Sequence, residues 1–254
     1  MPWSPEDLMI AFASSFIAGA INALAGNGSV ITLTILTELI GLPGNVANGT
    51  NRVGVLLNAA GALTGFNRNK RTDYSLHLRY ILPVIAGAVI GILVATQVTN
   101  EQFIGVFKIL MIIMLVVILV NPERWLIVRP QKSILPKWME WPVMLLLGFY
   151  GGFIQMGMGV FYLAVLVLVA RLPMIESNSI KALSVGAFTL LAVIIFSFAG
   201  LVVWSIGLVM GAGQFLGGWF SSHYISKVPA ASKVAYYVLV VAVMLSLLKL
   251  FNVF

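Results

Sequence analysis

Stretches of about twenty apolar residues follow one another from end to end of the chain, the length that crosses a bilayer core as a helix. Lipid offers no partner to backbone N–H and C=O groups, so such runs satisfy them internally, as helices. A transmembrane barrel is excluded, because its strands alternate polar and apolar residues and these runs do not. Composition agrees: 60% of residues are hydrophobic, 9% are charged and the mean hydropathy is +1.03, more apolar surface than a water-soluble exterior tolerates. The fold class read from the sequence is an all-α polytopic membrane protein. Glu6 and Asp7 precede the first run, which lacks a basic leader and a small-residue cleavage site, so a retained span is expected.

Crossings are expected near 6–25, 46–66, 74–97, 101–120, 140–157, 178–199, 203–225 and 233–252, with two shorter helices near 28–41 and 159–171. The net charge of +7 lies mostly in loops, which is topogenic bias and not a nucleic-acid surface. Arg68, Lys70 and Arg71 mark one cytoplasmic loop. Arg124, Arg129, Lys132 and Lys137 mark a second, and Lys227 and Lys233 a third. "TQVTNEQ" and "SFAGLVVW" carry no Lys or Arg and face outside, as do both termini on this count. Each short helix, at roughly fourteen residues and 21 Å, falls short of the roughly 30 Å core. It reads as a half-membrane piece of a helical hairpin, the alternative being a strongly tilted complete crossing.

The chain breaks its backbone twice in the same way. "ALAGNGSVITL" (23–33) and "QMGMGVFYL" (155–163) each set a glycine pair inside an apolar run. A shift of about 130 residues aligns the two halves, pairing Pro43 with Pro173, Asn48 with Asn178, Asn51 with Lys181, Tyr74 with Trp204 and Gly87 with Gly217. One residue more brings Gly26 and Gly28 onto Gly157 and Gly159. With one hairpin and three crossings in each half, an odd total, the halves are expected to be inverted repeats. The expected organisation is a first repeat at 1–120, a cytoplasmic interfacial linker at 121–140 rich in Trp and basic residues, and a second repeat at 141–254.

Interrupted helices in an inverted repeat are the pattern of secondary transporters. Each helix start offers unpaired N–H groups and a positive dipole end. Two inverted copies would aim both at one midplane site shaped by Gly26, Gly28, Gly157 and Gly159, with Asn27 and Gln155 adding hydrogen bonds. The alternative is that these glycines are close-packing contacts between helices. Arg52 and Lys181 lie a turn or two into matching spans, where a charge is expensive and faces a cavity or a partner. Snorkelling to the near interface is the other reading. Asn48, Thr50 and Asn51 in the first half, and Asn178 and Ser179 in the second, can bond an oxyanion or cap helix starts. Glu38 is the candidate for a coupling proton; at the outer end of its short helix it can equally meet water. Arg79 and Lys108 are expected to snorkel. His77 and His223 are read as isolated, without a paired acid or metal-ligand spacing. There is no catalytic constellation, P-loop, cofactor motif or cysteine, so enzyme, ATP-driven and thiol chemistry drop out.

The residues "AGNGSVITLTILTELIGLPGNVANGTNRVGVLLNAAGALTGF", then "GFYGGFIQMGMGVFYLAVLVLVARLP" with "SNSIKALSVGAFTLLAVIIFSFAGLVVW" and "GAGQFLGGWFSSHYISKVP", resemble the TauE/SafE family of sulfite-exporter (TSUP) permeases. The resemblance covers essentially the whole chain. Asn27 stands where the family often has glycine, and Met156 and Met158 flank Gly157. It implies a multi-pass carrier of the bacterial inner membrane for sulfur-containing anions such as sulfite or organosulfonates (sulfoacetate, for example), in many members an exporter. Alternating access is the expected mode, and a passive anion channel on the same fold is the alternative. The expected partners are a small anionic substrate and the lipid bilayer; a homodimer is left open.

Overall fold

The computed structural model describes residues 3–26, 28–67, 73–119 and 136–224, with single positions at 237, 241, 244 and 248. The basic residues 68–71, Asn27, most of the 121–140 linker and the expected span 233–252 lie outside the described residues. Described elements are helical throughout. Helix α1 runs Pro5–Ala25, started by a capping box between Ser4 and Asp7 with proline in its first turn. It stops because Gly26 takes a left-handed conformation, φ 80°. Helix α2 (Gly28–Thr34) follows and continues as a π turn, Ile35–Leu39. Then come α3 (Gly44–Asn67), a 3₁₀ turn at Tyr74–His77, α4 (Leu78–Ala95) and α5 (Asn100–Leu119). Helix α6 (Lys137–Phe153) precedes α7 (Met158–Ala164), which also ends in a π turn, Val165–Val169. Helices α8 (Met174–Phe198) and α9 (Trp204–His223) complete the described order.

Among the described residues, helices are found where spans are expected, to within a few residues, with one difference. Helix α6 starts inside the expected linker and ends four residues before position 157, so the second break covers 154–157. Gln155 sits there at φ 60°, a region costing a non-glycine residue about 1–3 kcal/mol. Its side chain is tied on both sides, as described below, which holds the strained backbone in place. The two short helices with their π turns span twelve residues each, about 18 Å.

Local structure recurs at a shift of 130. Ile40 N–H bonds Ile35 C=O as Ala170 bonds Val165; Leu42 bonds Leu36 as Leu172 bonds Leu166; Ala47 bonds Pro43 as Ser177 bonds Pro173. Gly41 and Arg171 both take positive φ at the same point in this succession. Helix starts at 28 and 158, 44 and 174, and 74 and 204 keep the same offset. The glycine pairs, offset by 131, therefore fall one residue out of the register kept by the helices around them.

Three described helices, α1, α4 and α8, contain stretches long and apolar enough to cross a membrane on length and composition. Helices α3 and α9 are less apolar, and they pack more extensively on each other than any other described pair. Small residues let the backbones close up there, as Gly61 does on the Phe215 carbonyl. Outward faces carry Ile17, Leu82, Ile90, Leu93, Ile109, Leu146 and Leu190, all exposed, as a lipid-facing surface requires.

Candidate functional site at the paired helix breaks

Helix α6 ends inside the protein, so its last carbonyls lose the N–H groups that a continuing helix would supply. Arg52, from α3, takes their place. Its guanidinium donates to Gly151 C=O at 2.8 Å, Gly152 C=O at 2.7 Å, Gln155 Oε1 at 2.9 Å and Asn48 Oδ1 at 3.3 Å. The Asn48 amide donates in turn to Phe153 C=O at 2.9 Å. Gln155 Nε2 donates to Thr189 Oγ1 at 2.8 Å, completing the clamp on the strained residue. Arg52 is wholly buried, with the Phe196 ring 5.5 Å from its guanidinium.

The end of α1 is treated in the same manner by the opposite half. Lys181 Nζ, from α8, donates to Asn22 C=O at 3.1 Å and Ala23 C=O at 3.3 Å. A cation at a helix C-terminus also meets the negative end of the helix dipole. The arrangement is crossed: the cation of each half caps the broken helix of the other. Both interrupted helices are held open in the protein interior by a partner that the membrane cannot supply.

The two breaks touch. A Cβ on Gly26 would lie 2.5 Å from the Gly159 carbonyl carbon, and one on Gly159 would lie 2.6 Å from Gly26 Cα. No side chain fits between them. Beside this contact lies a cavity of about 20 Å³, room for one or two waters. Its polar lining is Lys181, Gln155, Asn22, Asn58 and Ser29, and its apolar lining includes Val55, Ala59, Ala62, Met158, Ala182 and Val185.

Of the residues singled out from sequence, Gly26, Gln155, Gly159 and Lys181 line this cavity. Arg52 is spent on carbonyls and does not line it. Gly28 packs on α1 near Ala18, and Gly157, at φ 68°, forms the cap of α7. Thr50 Oγ1 accepts from Val203 N–H at 3.0 Å at the start of α9, and Asn51 Oδ1 accepts from Thr32 Oγ1 at 2.6 Å. Asn178 and Ser179 are buried in α8 away from the lining. Glu38 is half-buried in the first π turn, also off the lining, and Asn27 lies outside the described residues.

Sequence reading missed Asn22, Ser29 and Asn58. Asn58 Nδ2 donates to Gly19 C=O at 2.9 Å and Gln214 C=O at 2.8 Å, while its Oδ1 accepts from Asn22 Nδ2 at 2.8 Å. One asparagine thus joins α1, α3 and α9. The signal was present: Asn22 in "AINALA" and Asn58 in "VLLNAAGAL" each interrupt an apolar stretch, where a polar side chain needs a reason. The isolation expected of His77 is corrected, because its Nε2 contacts Glu176 Oε1 of α8.

A family model described as "Sulfite exporter TauE/SafE" matches residues 11–247. A Sinorhizobium sp protein named "Probable membrane transporter protein ORF9" is 31% identical over 222 residues, which is 85% of this chain and 82% of its own length. "Probable membrane transporter protein YfcA" of Escherichia coli (strain K12) is 26% identical over 226 residues, 87% of this chain and 82% of that protein. A "Probable membrane transporter protein" of Haemophilus influenzae is 28% identical over 220 residues, 83% and 82% of the two chains. No solved structure matches the chain.

Proposed function

The chain belongs to the sulfite exporter TauE/SafE family and is a membrane transporter, and on that premise we propose that it exports small sulfur-containing anions, such as sulfite and sulfonates including sulfoacetate, by alternating access. It sits in the inner membrane of a bacterial-type cell with both termini outside, and its two halves are inverted repeats. The observation that carries this reading is the crossed capping. Lys181 is a buried cation on a cavity wall, and its partners are two carbonyls, not a carboxylate. An anion entering the cavity offers full negative charge where the carbonyls offer partial charge, so it competes for the ammonium. Gln155, Asn22 and Ser29 also line the cavity and can complete its hydrogen bonds.

At about 20 Å³ the cavity has room for one or two waters, so it must widen to admit sulfite. Admitting the anion requires the end of α1 to part from Lys181. That capping contact joins the two halves, so substrate binding and relative motion of the halves are one event. Differential affinity of this kind is what lets a ligand shift a conformational equilibrium.

The test is counterflow in proteoliposomes with ³⁵S-labelled sulfite and with sulfoacetate. The expected result is saturable exchange for wild type and loss of about tenfold or more in Lys181→Ala, the scale of one charge-assisted bond or two. Non-saturating currents without counterflow would instead identify a channel. Unchanged exchange in Lys181→Ala would remove the role given to the lysine.

A further inference from the structure

We propose that the cavity widens toward Gln214, whose carboxamide, with that of Asn51, then holds the transported oxyanion; this rests on the transporter reading above and extends its site. Gln214, on α9, is 2% exposed, and among the described residues its Nε2 is buried without a hydrogen-bond partner. It stands next to the cavity and outside the lining: Asn58, which lines the cavity, donates to Gln214 C=O at 2.8 Å. The side chain lies over Gly54 of α3, where any Cβ would overlap Nε2. Asn51, Gly54 and Asn58 follow one another at i, i+3 and i+7, along one face of that helix. Gly54 is about 6 Å along α3 from Asn58. Asn51 bonds Thr32 through Oδ1 and leaves Nδ2 buried without a partner among the described residues. Two amide donors, one on α3 and one on α9, are therefore unpaired just beyond the cavity.

Packing does not ask for a glutamine at this point. At the 130-residue offset Gln214 falls on Val84 of α4, and the two backbones make matching contacts. Gln214 C=O receives Gly19 of α1, as Val84 C=O receives Gly148 of α6. Val84 is wholly buried, in an apolar cluster with Tyr80, Met144 and Phe188. Phe188 is itself the residue at that offset from Asn58. One half thus fills this interface with apolar side chains, and the other places carboxamides in it. A buried amide without a partner costs free energy while the cavity stands as it is. The cost is relieved where water or a ligand oxygen reaches the N–H groups, which favours a conformation in which the cavity extends to Gln214. The S–O⁻ oxygens of a sulfite or sulfonate are strong acceptors for such donors. Being uncharged, the two amides orient the anion and leave its charge to Lys181.

Two measurements on the full chain test this. The first is thermal stabilisation of the purified protein by sulfite and by sulfoacetate. Gln214→Leu replaces the carboxamide with an apolar side chain of similar size. Gly54→Ala pushes it aside with a methyl group while favouring the helix. Without ligand, both variants are expected to melt no lower than wild type. Both should need about tenfold more anion for the same stabilisation, the scale of one hydrogen bond to a charged group. A glutamine that only packs leaves anion affinity unchanged in both variants, and that result overturns the proposal. A wild type that neither anion stabilises fails the sulfur-anion reading instead, and the second measurement still decides the widening. The chain has no cysteine, so Gln214→Cys and Val84→Cys each place a single thiol at matching buried positions. A sulfonate-bearing methanethiosulfonate is expected to label Gln214→Cys faster than Val84→Cys, and sulfoacetate to slow that labelling. Equal labelling of the two thiols, or labelling of neither, overturns the widening toward Gln214.

Discussion

The end of α6 and the end of α1 pose one problem and receive unequal answers. Both are broken helices whose last carbonyls face the interior, and both are capped by a cation from the other half. At α6 the cap is a guanidinium that places four hydrogen bonds on Gly151, Gly152, Gln155 and Asn48 and is sealed from the cavity. At α1 the cap is an ammonium that makes two longer bonds and borders the cavity. The planar fork of arginine suits a fixed, many-armed contact, and the point charge of lysine suits one that exchanges partners. One cap is enclosed in its hydrogen bonds and the other borders a cavity. Placement in the sequence makes Arg52 and Lys181 look alike, and donor chemistry separates them.

The strongest way to break this comparison is Arg52→Ala. It strips partners from two buried carbonyls and from the side chain that holds Gln155 in its strained conformation. A loss of about 3–5 kcal/mol is expected, read as failure to purify a monodisperse protein or as a large fall in unfolding temperature. Arg52→Lys cannot reach the same four acceptors and should recover only part of it. A well-folded, fully active Arg52→Ala protein would show that the Arg52 clamp is dispensable and that both cations are interchangeable.

Lys181→Ala comes next, at about 1.5–3 kcal/mol for hydrogen bonds to a charged group. Its discriminating feature is the ratio of effects: exchange falls by more than the stability change predicts, while Arg52 variants lose activity only as they lose fold. Titrating purified protein with sulfite sharpens the point. Ligand stabilisation of the folded state disappears in Lys181→Ala and persists in whatever Arg52→Lys material folds. Equal stabilisation in both variants would merge the two roles.

What the sequence makes legible follows from what local chemistry can encode. Glycine pairs in apolar runs announce the breaks, and the 130-residue punctuation announces that the short helices and their flanks recur, because both are local. The π turns at 35–39 and 165–169 were invisible: "ILTEL" and "VLVLV" share no residue type that demands the wider turn. The second break was misjudged by four residues because Gln155 takes a glycine-like φ, which no propensity foretells. Whether Arg52 or Lys181 meets the cavity depends on which face of α3 and α8 meets which neighbour, and helix position alone does not carry that. His77 and Glu176 are separated by 99 residues, so no spacing rule joins them.

Asn58 gives the smallest expected effect and the finest test of the comparison. It lies on the α1 side of the cavity, where the α6 side has the Arg52 clamp, and it binds Gly19, Gln214 and Asn22. Interhelical hydrogen bonds inside membranes average about 0.6 kcal/mol, because alternative partners exist in the unfolded reference. Three such bonds put Asn58→Ala at about 1–2 kcal/mol, within reach of a thermal-unfolding measurement. If the α1 side is the mobile one, the loss should come with a changed sulfite KM, since Asn22 loses the partner that orients it on the cavity wall. A rigid α1 side predicts the same stability loss with KM untouched, and that result would transfer the moving role from α1 to the helices that Arg52 holds.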